Sequence, residues 1–191
     1  MKKTVAVIGS RGAIGNAVVD TLLADESVEA VFKFSRAEIT EHDDKVQHIF
    51  IDIEDEESIK QATESLPEDT KFDLIFVATG ILHDEKNVFP EKSIKDISFD
   101  KLIKVLTINT IGPTLVGKYF IPYLRKDSKS TFAFLSARVG SISDNKLGGW
   151  YSYRASKTAL NQIIRNFSIE VARSNKNAIF IGLQPGTVKS F

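Results

Sequence analysis

Short apolar runs alternate with helical stripes along the whole chain. Residues 4–9 (TVAVIG) form a continuous apolar run, which reads as a strand buried on both faces. Ala17, Val18, Leu22 and Leu23 follow at helical spacing. Further strand-like runs stand at residues 30–35, 46–51, 72–78, 130–135 and 178–183. Asp55, Glu56 and Glu57 open a helix, where acids complement the dipole. Residues 81–97 form a long polar connection over the cleft. Residues 99–125 predict the longest helix, with an apolar stripe that includes Leu102, Val105, Leu115, Val116 and Phe120. Gly112 and Pro113 should bend it. A last helix over residues 152–173 follows a polar loop at 144–149. This alternation predicts a doubly wound α/β fold, a parallel sheet with helices on both faces and right-handed crossovers. Ligands bind at the carboxyl ends of such strands, where Gly9, Arg36, Asp52, Gly80, Ser136 and Pro185 all stand.

The first strand and the first helix are joined by Gly9-Ser10-Arg11-Gly12-Ala13-Ile14-Gly15. Glycines there let the backbone approach a pyrophosphate, and the helix N-terminus offers free N–H groups. Alone, such a cluster is often only a turn; between a strand and a helix it reads as dinucleotide binding. An acid at the end of the second strand would mark NAD, but Ser35-Arg36 stands there. Arg36 and Arg11 can both reach a 2′-phosphate, which favours NADP(H) over NAD(H); the alternative is that both are surface arginines. Asp52 either accepts from the adenine amino group or caps a turn. Ile53, Ala78, Thr79 and Gly80 complete the candidate cofactor set.

Tyr153 and Lys157 are four apart, so a helix puts both on one face, one turn apart. A phenol normally ionises near pH ~10, and a nearby ammonium favours the phenolate. Reaching neutrality takes ~3 pKa units, about 4 kcal/mol, and requires a partly desolvated cleft. Such a tyrosine can give a proton to a carbonyl oxygen. Asn109 lies on a buried helix face and must find partners, structural or functional.

Composition narrows the field. A chain of 191 residues fits one domain, residues 1–191. Lys plus Arg is 25 and Asp plus Glu is 25, so no global pull toward nucleic acid or an anionic membrane exists. The absence of cysteine removes disulfides, thiolate metal sites and cysteine nucleophiles. The acids at 55–57 read as helix-start residues, not metal ligands. No stretch approaches ~20 apolar residues, so the expected location is the cytoplasm. A Ser-His-Asp hydrolase fits poorly: the histidines are His42, His48 and His83, and no G-x-S-x-G motif is present.

The segments SARVGSISDN, WYSYRASKTALN and LQPGTV, with the glycine turn, resemble the short-chain dehydrogenase/reductase superfamily. The wording is similar to the small carbonyl-reductase-like branch that includes C-factor and sniffer proteins. The resemblance implies a Rossmann sheet in order 3-2-1-4-5-6 and a catalytic group of Asn109, a serine near 136, Tyr153 and Lys157. Tyr153 is then the general acid. Lys157 holds the nicotinamide ribose and lowers the tyrosine pKa, and Asn109 supports a water on a proton relay. Pro185, Gly186, Thr187 and Val188 contact the nicotinamide carboxamide. The implied activity is NADPH-dependent reduction of a ketone or aldehyde, or the reverse. An NADP(H)-binding sensor of C-factor type with little turnover is the other reading. Family members often pair as dimers or tetramers through the two long helices, here residues 99–125 and 152–173.

Three departures stand out. Ala13 replaces the middle glycine of the usual turn. The position thirteen before the tyrosine, normally serine, is Gly140; aligned on the strand instead, the usual serine pair becomes Ser136-Ala137. Ser136 is the first substitute and Ser141 the second. The sequence also stops at Lys189-Ser190-Phe191, where family members continue with a substrate loop, a helix and a seventh strand, so the domain reads as truncated.

Overall fold

Continuous apolar strands need cover on both faces, and helices flanking a parallel sheet provide it. The computed structural model describes residues 2–37, 44–83 and 88–186. In chain order they form β1 (Lys3–Ile8), α1 (Ala13–Ala24), β2 (Val28–Ser35), β3 (Val46–Phe50), α2 (Glu56–Glu64) and β4 (Leu74–Val77). Then come α3 (Phe99–Leu106), α4 (Gly112–Phe120), β5 (Ser130–Leu135), α5 (Tyr151–Val171) and β6 (Ala178–Leu183). The strands join in the order β3-β2-β1-β4-β5-β6, with every pairing parallel. This is the doubly wound Rossmann-type sheet that the sequence implies.

Alternate residues of each strand feed opposite cores, as the pleat requires. Ala6, Ile8, Phe32, Phe34, Phe132 and Phe134 pack with Ile59, Phe120, Leu160 and Ile164 on one face. Val5, Val7, Val31, Phe76 and Ala133 pack with Val19, Leu22 and Leu23 on the other. Phe34 and Phe120 meet edge-on, with ring centroids 5.1 Å apart, which ties α4 to the sheet. Asp55 caps α2 by accepting from Glu57 N at 3.0 Å, so the acids at 55–57 are helix-start residues.

The helix expected over residues 99–125 runs without a break from Phe99 to Tyr123, but its winding changes along the way. A π turn, Thr107–Ile111, separates α3 from α4, and a tight turn, Ile121–Tyr123, ends the segment. The irregularity therefore precedes Gly112 and Pro113. They follow the π turn inside a continuous helical run: Gly112 N donates to Thr107 O, five residues back, and Ile111 and Gly112 both keep right-handed helical dihedrals. The strand expected over 72–78 shortens to Leu74–Val77, with Phe72 in a lone bridge to Leu124. Among the described residues, no helix is long and apolar enough to cross a membrane.

Candidate active site

The carboxyl ends of the strands open onto a cleft of about 480 Å³. Gly9, Arg11, Gly12, Arg36, Asp52, Ile53, Ala78, Thr79 and Gly80 line it, all of them residues singled out from the sequence. Gly9 sits at φ 80°, and a Cβ there would meet Thr79 Cγ2 at 2.8 Å. Only glycine lets the chain turn this closely against the end of β4. Gly12 caps α1 with no side-chain bond, so the first N–H groups of the helix have no side-chain acceptor.

Other candidates do different work. Ser10 is buried, and its hydroxyl donates to Phe34 O at 3.3 Å, tying the turn to β2. Gly15 is buried where a Cβ would lie 2.1 Å from Gly9 O, so it serves helix packing. Ile14, in the first turn of α1, packs against the core on that face of the sheet. Asp52 accepts from Glu54 N at 3.0 Å, so it lines the cleft and caps a turn at once. Pro185 and Gly186 are exposed and do not line the cleft, and Thr187 and Val188 lie outside the described residues.

Glu54, Ile81 and Ile108 also line the cleft, though no motif marks them. Glu54 stands 3.9 Å from Arg36 Nη1 and 2.7 Å from Lys104 Nζ. The arginine that would meet a 2′-phosphate thus already faces a carboxylate. An acid two residues beyond Asp52 was the available signal; its partner on α3 was not visible.

Deeper in, α5 places Tyr153 half-buried and Lys157 fully buried on one face. Lys157 Nζ donates to Leu135 O at 2.8 Å, and it stands 5.8 Å from the centre of the Tyr153 ring. A Cβ on Gly80 would lie 3.2 Å from Lys157 Nζ and 3.4 Å from Asn109 Oδ1. The lysine and the asparagine therefore converge on the wall of the cleft at the end of β4. Asn109 sits in the π turn and is fully buried. Its Oδ1 accepts from Ile81 N at 2.7 Å, and its Nδ2 donates to Ile81 O at 2.9 Å and Ser156 Oγ at 3.1 Å. Ser156 Oγ donates in turn to Tyr153 O at 2.8 Å. Residues 28 and 47 positions away are thus joined by one amide.

Burial sets the charge states. It pushes the Tyr153 phenol above its ordinary value and pulls Lys157 down to about 8. The expected lowering of the tyrosine by the lysine does not appear in this arrangement. The ammonium is turned toward the Leu135 carbonyl, and desolvation acts on both groups.

The serine question gains a physical answer in part. At Gly140, thirteen before Tyr153, a Cβ would lie 2.8 Å from the backbone carbon of Lys157. Helix α5 rests on that glycine, so no serine fits there. Ser136 is buried, and its hydroxyl donates to Asn161 Oδ1 at 2.6 Å. Ser141 Oγ lies 3.3 Å from Ser143 Oγ and accepts from Asp144 N.

The cleft fits a dinucleotide on its own chemistry. Thr79 Oγ1 is buried in its wall with no partner, and the glycine turn and uncapped α1 face it.

A sequence model of the short chain dehydrogenase family matches residues 3–191, and the chain belongs to that family of oxidoreductases. It is 28% identical over 187 residues to the 1-hydroxy-2-glutathionyl-2-methyl-3-butene dehydrogenase of Rhodococcus sp. (strain AD45), covering 97% of this chain and 77% of that one. It is 32% identical over 98 residues to the C-signal protein of Myxococcus xanthus, covering 51% of this chain and 58% of that one. The carbonyl reductase Sniffer of D. melanogaster superposes with a TM-score of 0.86 at 21% identity, over 100% of this chain and 83% of that one. The NADPH-bound carbonyl reductase from chicken fatty liver gives 0.83 at 24%, over 98% and 80%. At those identities the structural likeness shows the fold.

Proposed function

We propose that this protein reduces a ketone or aldehyde with NADPH, using Tyr153 as the proton donor. The observation that carries the reading is the convergence of Lys157 and Asn109 behind Gly80, a residue that lines the cleft, with the Tyr153 ring 5.8 Å from Lys157 Nζ. When bound, the nicotinamide supplies the hydride. Tyr153 gives its phenolic proton to the carbonyl oxygen. Burial keeps that phenol protonated through neutral pH, which suits donation and opposes the reverse reaction. Lys157 presents a buried ammonium to the nicotinamide ribose, and Asn109 holds the cleft wall at Ile81 and the first turns of α5. Gly9, Arg11 and Gly12 hold the pyrophosphate, and Arg11 and Arg36 face the 2′-phosphate. Likeness to a carbonyl reductase that carries NADPH supports the choice of cofactor. The two-helix surface, with Phe99, Ile103 and Ile169 exposed, is where a second copy would pair.

A panel of ketones, quinones and aldehydes offered with NADPH tests the reading by its consumption. Brisk consumption with any of them supports it; none, with NADPH bound, sinks it. One observation favours a second reading, a nucleotide-binding sensor similar to C-signal. Ser136 spends its hydroxyl proton on Asn161, and Ala137 stands beside it, which leaves the carbonyl-polarising donor unassigned.

A further inference from the structure

Glu91 lies in the connection between β4 and α3 and is 1% exposed. Among the described residues, Lys157 is the other charged side chain buried to this degree. A carboxylate removed from water needs hydrogen-bond donors. Glu91 finds them in the first turn of α5, 61 positions away. Its Oε1 accepts from Ser152 Oγ at 2.6 Å and its Oε2 from Ser152 N at 3.3 Å. Its main-chain oxygen accepts from Trp150 N at 2.6 Å. Trp150, the residue that precedes the helix, provides no side-chain cap of its own. Glu91 therefore caps α5 from outside, with its charge at the positive end of the dipole.

The turn it holds is strained. Trp150 adopts φ 51°, ψ 44°, a left-handed conformation that a tryptophan keeps only when its surroundings impose it. Its ring then meets Tyr153 edge-on, centroids 6.3 Å apart at 71°. The far side of the clamp is itself fixed. Asp96 Oδ2 accepts from Lys92 N at 3.0 Å and from Ser93 N at 2.9 Å.

We propose that Glu91 is a positioning residue, which fixes the first turn of α5 and, through Ser152 and Trp150, the placement of the Tyr153 phenol. The proposal rests on the role given to Tyr153 above. Glu91 itself touches no reacting atom.

The test compares the full chain with Glu91→Ala, Glu91→Gln and Ser152→Ala. Three quantities are read: kcat with the best carbonyl of the panel, NADPH affinity by calorimetry, and the emission of Trp150, the single tryptophan. A misplaced proton donor costs rate rather than cofactor binding, so Glu91→Ala should lose about tenfold or more in kcat with NADPH affinity within about twofold. Its Trp150 emission should shift. Glu91→Gln keeps an acceptor for Ser152 and should recover both native emission and most of kcat. A folded Glu91→Ala with kcat and emission unchanged overturns the proposal. So does a kcat loss that Gln does not rescue. If Glu91→Ala fails to fold, Ser152→Ala decides: a lower kcat at unchanged NADPH affinity supports the clamp, and an unchanged kcat overturns it. If the unmodified chain reduces no carbonyl, the assigned function fails, and Trp150 emission alone judges the clamp. A shift in the Ala variant that Gln reverses supports it, and no shift overturns it.

Discussion

Lys157 Nζ donates to the carbonyl oxygen of Leu135 at 2.8 Å, which joins the middle of one face of α5 to the end of β5. Among the described residues the bond gives the buried ammonium one hydrogen-bond acceptor, short of the three it can donate to. Burial lowers its folded pKa to about 8, below the ordinary 10.5. The unfolded chain binds that proton more tightly. Stability contributed by this site thus rises with pH between about 8 and 10.5, and the cost is complete below 8. The span corresponds to about 3 kcal/mol. Urea unfolding of the unmodified chain and of Lys157→Met, measured from pH 7 to 10.5, should show the difference between them closing as pH rises. A difference independent of pH would contradict the assignment.

Burial raises the Tyr153 phenol, so reduction and oxidation should respond differently to pH. Carbonyl reduction needs the protonated phenol, which persists through neutral and mildly alkaline pH. Alcohol oxidation needs the phenolate and should keep rising toward alkaline pH. Paired pH–rate profiles check this. An oxidation rate that levels off near neutrality would mean that the tyrosine ionises far earlier than its surroundings allow.

The spacing of the missing serine makes a pair of opposite predictions. Gly140→Ser drives a side chain into the backbone of Lys157 and should destabilise by about 1–3 kcal/mol without restoring a donor. Ala137 is half-buried in extended backbone, next to Ser136, so the backbone puts no strain on a serine there. Ala137→Ser should leave the melting temperature within a few degrees and raise kcat. Thermal melts and steady-state kinetics on the two variants separate the strand alignment from the spacing alignment.

Arg36, the residue proposed to meet a 2′-phosphate, stands opposite Glu54 in the cleft lining. The ion pair is long, 3.9 Å, and Arg36 is 68% exposed, so a 2′-phosphate should displace the carboxylate readily. Arg36→Ala should weaken NADPH binding by about tenfold and leave NADH binding nearly unchanged. Glu54→Gln should tighten NADPH, less so at high salt, where such charges are screened. Equal losses for both cofactors in Arg36→Ala would remove the arginine from the 2′-phosphate site.

The sheet was legible from the chain because strands buried on both faces leave uninterrupted apolar runs, from Val5–Ile8 in β1 to Phe132–Leu135 in β5. The glycine turn was legible because its spacing is local. What was hidden depends on partners far away in sequence. The π turn at Asn109 could not be read because its amide bonds reach back to Ile81 and forward to Ser156. Glu91 falls within the polar connection 81–97, and only the fold brings it to Ser152. The phenol of Tyr153 is raised by burial, which the four-residue spacing does not reveal. Four-residue spacing places Lys157 on the right face but does not say that its ammonium faces Leu135.

Tyr153 is the proposed proton donor. Tyr153→Phe removes one hydroxyl and keeps the ring that packs against Trp150. NADPH affinity and carbonyl turnover should be measured on this variant and on the unmodified chain in parallel. NADPH binding should stay unchanged within about twofold, and turnover should fall by a factor on the order of 10² or more. Turnover that survives with the hydroxyl gone would contradict that role, and another group would have to supply the proton.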